Sequence, residues 1–214
     1  MVRVLRLLSA AVLVASLGIA PSAFATSIAA LSVEQMVDAS DVVATGTVRA
    51  VRSEWVSDRR IITYAEIELD SVSKGLADVG DFVTVESPGG VLDDGTMSNV
   101  EFAARYSVGE RTLVFLCEKR QGTSFGTVGM ALGKFTVKQD PATGSDMIVR
   151  FTLPYTQEFD ARFVPNPPRP ERISLNSMLE RVRSRALLGW DGAPIPGVSD
   201  EHLRAINKLQ PGVK

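Results

Sequence analysis

Residues 61–70 read IITYAEIELD, and the fold class turns on this stretch. Ile61, Thr63, Ala65, Ile67 and Leu69 fall on one side of an extended chain. Tyr64, Glu66, Glu68 and Asp70 fall on the other. A period of two is the pattern of a β-strand with one dry and one wet face. Lys74-Gly75 ends that strand, residues 82–86 predict a third, and Pro88-Gly89-Gly90 stops it. A second turn follows at Asp93-Asp94-Gly95. Residues 112–117, TLVFLC, are apolar throughout, as expected of a central strand covered on both faces. Residues 125–138 predict a glycine-punctuated pair of strands and 147–153 one more.

Upstream, the Val- and Thr-rich segment 41–56 predicts a long strand whose central Gly46 marks a bulge or sharp bend. Before it, Ser32 with Gln35 three residues on forms a capping box, and Val33, Met36 and Val37 recur at helical spacing. Downstream, residues 165–170, PNPPRP, predict an extended connector. Ser174 then caps an amphipathic helix lined by Leu175, Met178, Leu179, Val182 and Ala186, with Arg181, Arg183 and Arg185 on its other sides. A short helix is expected over 199–209. The expected fold is therefore mainly β: an antiparallel barrel or closed sandwich, OB-like by preference, with a short N-terminal helix and a C-terminal amphipathic helix.

The N-terminus predicts export. Arg3 and Arg6 precede an uncharged run over residues 7–20, Pro21 and Ser22 break it, and Ala23-Phe24-Ala25 offers small residues to a signal peptidase. The run is shorter than the roughly 20 apolar residues that span hydrocarbon, so cleavage before Thr26 is expected and no membrane span in the mature chain. The expected organisation is a signal peptide over 1–25, a β-barrel-like domain over 26–164, a Pro-rich connector over 165–173, and a C-terminal helix and tail over 174–214. The expected location is the periplasm or the exterior.

Charge and composition narrow the chemistry. The whole chain carries a net charge of −2. Loss of Arg3 and Arg6 leaves 21 basic against 25 acidic residues, a balance of −4. A weakly acidic body lacks the basic footprint that holds phosphate backbones, so no nucleic acid is expected. Cys117 is the sole cysteine and His202 the sole histidine. Together they cannot build a usual tetrahedral zinc site, and His202 lies in the tail, far from any rigid nucleophile frame. No metal, cofactor or catalytic residue is assigned, and Cys117 is expected to be a buried, inert thiol.

Two motif matches fail on context. Gly129 to Phe135 has three residues between its glycines where a phosphate loop needs four, and Phe135 where a magnesium-holding hydroxyl belongs. Ser71 and Lys74 have the spacing of penicillin-recognising enzymes, but they end a strand and lack the companion elements. Paired carboxylates among Glu66, Glu68, Asp70, Asp93 and Asp94 would suffice for glycoside hydrolysis, although a polar strand face and an Asp-Asp-Gly turn have simpler local roles. The binding residues expected are Gly89 and Gly90, which permit close backbone approach, Asp93 and Asp94 on the same connection, and Trp55 as an aromatic contact.

Residues 39–48 (ASDVVATGTV), Lys74-Gly75, Gly89-Gly90, Gly109-Glu110 before residues 113–116 (LVFL), and Gly133-Lys134-Phe135 together span 32–138. In that order they resemble a group of exported bacterial β-domain proteins of uncharacterised function. The opening segment is also similar to netrin-like and tissue-inhibitor domains, a resemblance that implies an OB-type barrel. The inhibitors chelate a protease zinc through an N-terminal cysteine, and those domains rely on disulfides. A chain beginning at Thr26 with Cys117 alone has neither, so that route is not implied.

The expected function is non-catalytic binding of a protein or carbohydrate partner in the cell envelope or outside it, a peptidase inhibitor being one version. The alternatives are a cofactor-free hydrolase using paired carboxylates, and a structural accessory of an exported complex docking through the basic helix. Whether catalysis occurs is left open by the sequence, with the weight on a non-enzyme.

Overall fold

The computed structural model describes residues 31–119, 123–150 and 172–209. The expected signal, residues 165–170 of the connector and the end of the strand expected over 147–153 lie outside the described residues. Ser32 forms the capping box: its Oγ accepts from Gln35 N–H at 3.2 Å while its own N–H donates to Gln35 Oε1 at 2.9 Å. Helix α1 (Val33–Asp38) follows. The strands are β1 (Val42–Ser57), β2 (Arg60–Lys74), β3 (Phe82–Pro88), the short β4 (Gly90–Val91) and β5 (Met97–Ser98), β6 (Arg111–Glu118), β7 (Phe125–Thr127), β8 (Lys134–Gln139), β9 (Asp146–Arg150) and β10 (Arg172–Ser174). A 3-10 turn at Met130–Gly133 separates β7 from β8, and α2 (Leu175–Leu188) and α3 (Asp200–Leu209) complete the order.

β1, β2, β3, β7 and β6 are neighbours in that order, and β6 pairs back onto β1, closing a five-strand ring. The closure is OB-like. The ring is antiparallel except where β3 and β7 run parallel at Val85↔Phe125 and Glu86↔Gly126. An all-antiparallel ring needs an even number of strands, so a ring of five must contain a parallel pair. The far edge of β6 is shared: Leu116 to Glu118 pair with β7, whereas Thr112 to Val114 pair with β8. From there β8, β9 and β10 continue the sheet away from the ring. Arg172 and Ile173, expected as the end of the connector, thus form with Ser174 a strand on β9. Ser174 stands at the N-cap of α2, but its side chain makes no capping bond.

β6 is buried on both faces, as its unbroken apolar run predicts, and it separates two cores. Val114 and Leu116 point into the ring with Ala44, Ala65, Ile67, Leu69 and Val85. Leu113 and Phe115 point the other way, toward Phe135, Ile148, Met36, Met178, Val182 and Leu203. Full burial of each of the larger of these side chains (Val, Leu, Ile, Met, Phe) stabilises by about 1.5–3 kcal/mol. Gly46 sits at a register shift of β1, where a Cβ would lie 2.5 Å from Glu68 O. The glycine lets two backbones close as the ring bends.

Among the described residues no helix is long and apolar enough to cross a membrane.

Candidate functional site

The site begins with the exit of β3. Gly89 N–H donates to Ile61 O at 2.9 Å, continuing the β2 ladder for one residue. The chain then turns with φ of 84° at Gly89 and 145° at Gly90. Both values favour glycine. A Cβ on Gly90 would land on the hydroxyls of Thr63 and Ser53, and one on Gly89 would lie 2.6 Å from Ser98 O. The turn therefore lies flat over the β1–β2 face, and Thr63 pins it there. Thr63 Oγ1 donates to Gly89 O at 2.7 Å and shares a 2.9 Å bond with Ser53 Oγ.

β4 and β5 then form a small hairpin in which Val91 pairs with Met97. Both side chains are exposed, at 61% and 69%. The following segment returns across the ring, where Ala104 and Tyr106 join the inner core. Ser87 Oγ donates to Ala104 O at 2.5 Å and holds that return in place. Between turn, hairpin and return lies a cleft of about 310 Å³, lined by Val51, Ser53, Thr63, residues 87–91, 97–100 and 103–106. Arg105 is the one charged lining residue among those described, and its guanidinium donates to Asn99 Oδ1 at 2.6 Å. Burial pushes the Tyr106 phenol upward, and its OH bonds to Thr127 Oγ1 at 2.7 Å.

Gly89 and Gly90 both line this cleft; Asp93, Asp94 and Trp55 do not. Asp94 Oδ1 accepts from Thr96 N–H at 2.8 Å in the hairpin loop, and that bond lowers its carboxyl below the usual range. Asp93 is exposed beside it. Trp55 is half exposed, so it packs in no core. Val91 and Met97, within the connection from Pro88 to Met97 that the sequence singles out, also line the cleft, whereas sequence reading missed Ser53, Ser87 and Arg105 as lining residues. For Thr63 a signal existed: it is the one polar residue on the dry side of 61–69.

A second concentration of chemistry lies where the helices meet the ring. Arg185 grips Asp38 with two bonds of 2.9 and 2.6 Å, and Arg181 grips Glu34 with two of 2.5 and 2.8 Å. The arginines are four residues apart on α2 and the carboxylates four apart on α1, so two helix faces match like rails. Lys74 Nζ, buried at the end of β2, donates to Val37 O at 2.6 Å. Burial brings its ammonium down to about 8, against the attraction of Asp38 and Asp41. Asp41 Oδ2 accepts from Glu118 N–H at 2.7 Å and lies 3.8 Å from His202 Nε2.

The tail carrying His202 is not peripheral, since Leu203 and Ile206 of α3 are buried. Two of the basic residues expected on the surface of α2 are thus committed to the protein's own α1.

Glu68 pairs with Arg49 at 2.6 Å, and Glu66 and Asp70 are exposed; none of the three lines the cleft. Lys134 is buried against Glu110 and sits 5.6 Å over the Tyr106 ring, so the lysine of the phosphate-loop-like stretch serves the barrel wall. Cys117 is half-buried rather than fully buried. Burial raises its thiol, which donates to Gly126 O at 3.4 Å.

No protein-family model matches the chain, and no curated protein is significantly similar to it.

Proposed function

We propose that the protein is an exported, non-catalytic binding protein and that its partner, a protein segment, enters the cleft beside the Gly89-Gly90 turn. One observation carries this reading: two adjacent glycines hold the chain flat against Ser53 and Thr63, which leaves an open cleft flanked by the exposed Val91–Met97 pair. A turn that served only to leave β3 would not require an apolar hairpin held out in solvent beside a preformed hollow. Binding sites of this kind combine an apolar lining with a few fixed polar groups. Here Ser53, Thr63, Ser87 and the main chain at Gly89 and Gly90 are such groups.

A protein partner fits better than a carbohydrate. Tyr106, the one aromatic ring among the described lining residues, is buried in the ring core and offers no stacking face, whereas Val91 and Met97 offer apolar side chains. The leader-like N-terminus supports an encounter in the envelope or outside the cell.

Photo-crosslinking in the native host tests this reading. A benzoylphenylalanine at Met97 should capture a discrete partner, and the same probe at Arg183 on α2 should not. Capture from Arg183 alone would move the site to the helix and favour the structural-accessory reading.

A further inference from the structure

β1 is paired along both edges only in its first part. Val42 to Thr47 pair with β6, and Val48 adds backbone bonds to Gly109 and Glu110. Beyond Val48, β2 is its only strand partner among the described residues. Bulges usually blunt a sheet edge. Here the register shifts at Val48/Ala50 and Trp55/Ser57 instead bracket a regular stretch from Ala50 to Trp55.

The direction of its backbone groups follows from the ladder. Gly89 N–H donates to Ile61 O, so Ile61, and by alternation Thr63 and Ala65, aim their N–H and C=O groups at the β3 side. Directly opposite residues in an antiparallel pair exchange both bonds or neither. Their partners Trp55, Ser53 and Val51 therefore turn their own N–H and C=O toward the free edge. The intervening Arg52 and Glu54 are exposed and pair with each other at 2.6 Å, with Arg52 fixed 4.4 Å over the Tyr64 ring.

We infer that this edge pairs with the same edge of a second copy of the chain, antiparallel about a two-fold axis at Ser53. About that axis the bonding set Val51, Ser53 and Trp55 maps onto itself. Arg52 then faces the second copy's Glu54, Glu54 faces its Arg52, and each Val51 faces a Trp55. Moving the axis by one residue sets Arg52 against Arg52 or Glu54 against Glu54, and like charges directly opposite are destabilising. The isologous arrangement also covers the half-exposed Trp55. Because Val51 and Ser53 line the cleft, two clefts would flank one seam. The pairing stands on the edge itself and does not depend on what the cleft binds.

Sedimentation velocity of the purified protein over a concentration series tests it. The wild type should form a dimer. Arg52→Glu and Glu54→Arg should each remain monomeric, because each sets like charges against each other. An equimolar mixture of the two variants should restore a dimer, since every carboxylate then again faces a guanidinium. In the wild type, the amides of Val51, Ser53 and Trp55 should exchange slowly when concentrated and quickly on dilution, a readout that needs no variant. A wild type that stays monomeric, a dimer that survives either single change, a folded mixture that fails to dimerise, or exchange at these amides independent of concentration would each overturn the inference.

Discussion

The helix-covered side of the barrel and its open side treat exposed chemistry in opposite ways. On the covered side, charges find partners within the chain: Arg185 with Asp38, Arg181 with Glu34, and Lys74 with the last turn of α1. At the open side, Val91, Met97 and Trp55 stand in solvent, and half of β1 has no strand beyond it among the described residues. Each arrangement is readable as a purpose. Buried, mutually satisfied charges fix how helices sit on a sheet. Apolar side chains and unpaired strand edges carry a penalty in solvent, and they persist where something covers them.

The contrast can be broken most forcefully at Asp38. Asp38→Ala removes both short bonds to Arg185, which keeps the 3.3 Å contact to Asp191, and takes a carboxylate from beside the buried Lys74. About 3 kcal/mol of stability should therefore be lost by urea unfolding. A loss under about 1 kcal/mol would mean that the ion pair is decorative.

Lys74 gives a pH-dependent test of the same side. Its folded value of about 8 lies below the ordinary lysine value, so between the two the unfolded chain holds a proton that the folded chain lacks. Stability should therefore rise with pH across that window, by up to about 3 kcal/mol. Lys74→Met should abolish the rise. Parallel stability profiles for the two proteins between pH 8 and 10 would show the lysine to be well solvated.

Glu34 predicts a smaller effect. The Arg181 bonds hold its carboxyl down at about 2, so its contribution is complete above the ordinary carboxylate range and fades as pH falls toward 2. Both side chains are more than one-third exposed, and solvent screening limits the pair to about 1 kcal/mol or less. Glu34→Gln should thus leave the neutral-pH unfolding midpoint almost in place while flattening the acid limb.

Smallest of all in stability is the hairpin. Val91→Ser with Met97→Ser removes exposed apolar surface and should shift stability by no more than about 0.5 kcal/mol.

Much of the covered side was legible in the sequence because its signals are local. The capping box at Ser32 and Gln35, the stripe Leu175, Met178, Leu179 and Val182, and the apolar run of β6 each announce their element within a few turns of chain. The register shift at Gly46 was visible for the same reason. The ion pairs that lock α2 to α1 were not, since Asp38 and Arg185 lie 147 residues apart and neither looks unusual among surface charges. The parallel β3–β7 pairing likewise comes from ring closure, which no single strand reveals.

At the open side, Gly89 and Gly90 were legible from their adjacency after a proline. Asp93 and Asp94 drew attention as charges in a turn, yet neither lines the cleft, whose fixed polar groups include the hydroxyls of Ser53, Thr63 and Ser87. Thr63 carried the quiet signal, a hydroxyl in an otherwise apolar row.

The most direct test of the account is a binding titration of the partner captured through Met97 against two variants of equal stability. Val91→Ser with Met97→Ser should weaken binding at least tenfold, about 1.4 kcal/mol, with an unchanged melting temperature, and Glu34→Gln should bind as the wild type does. Equal affinity for the hairpin variant and the wild type, with loss in an Arg183→Ser protein, would contradict the account and place the working face on α2.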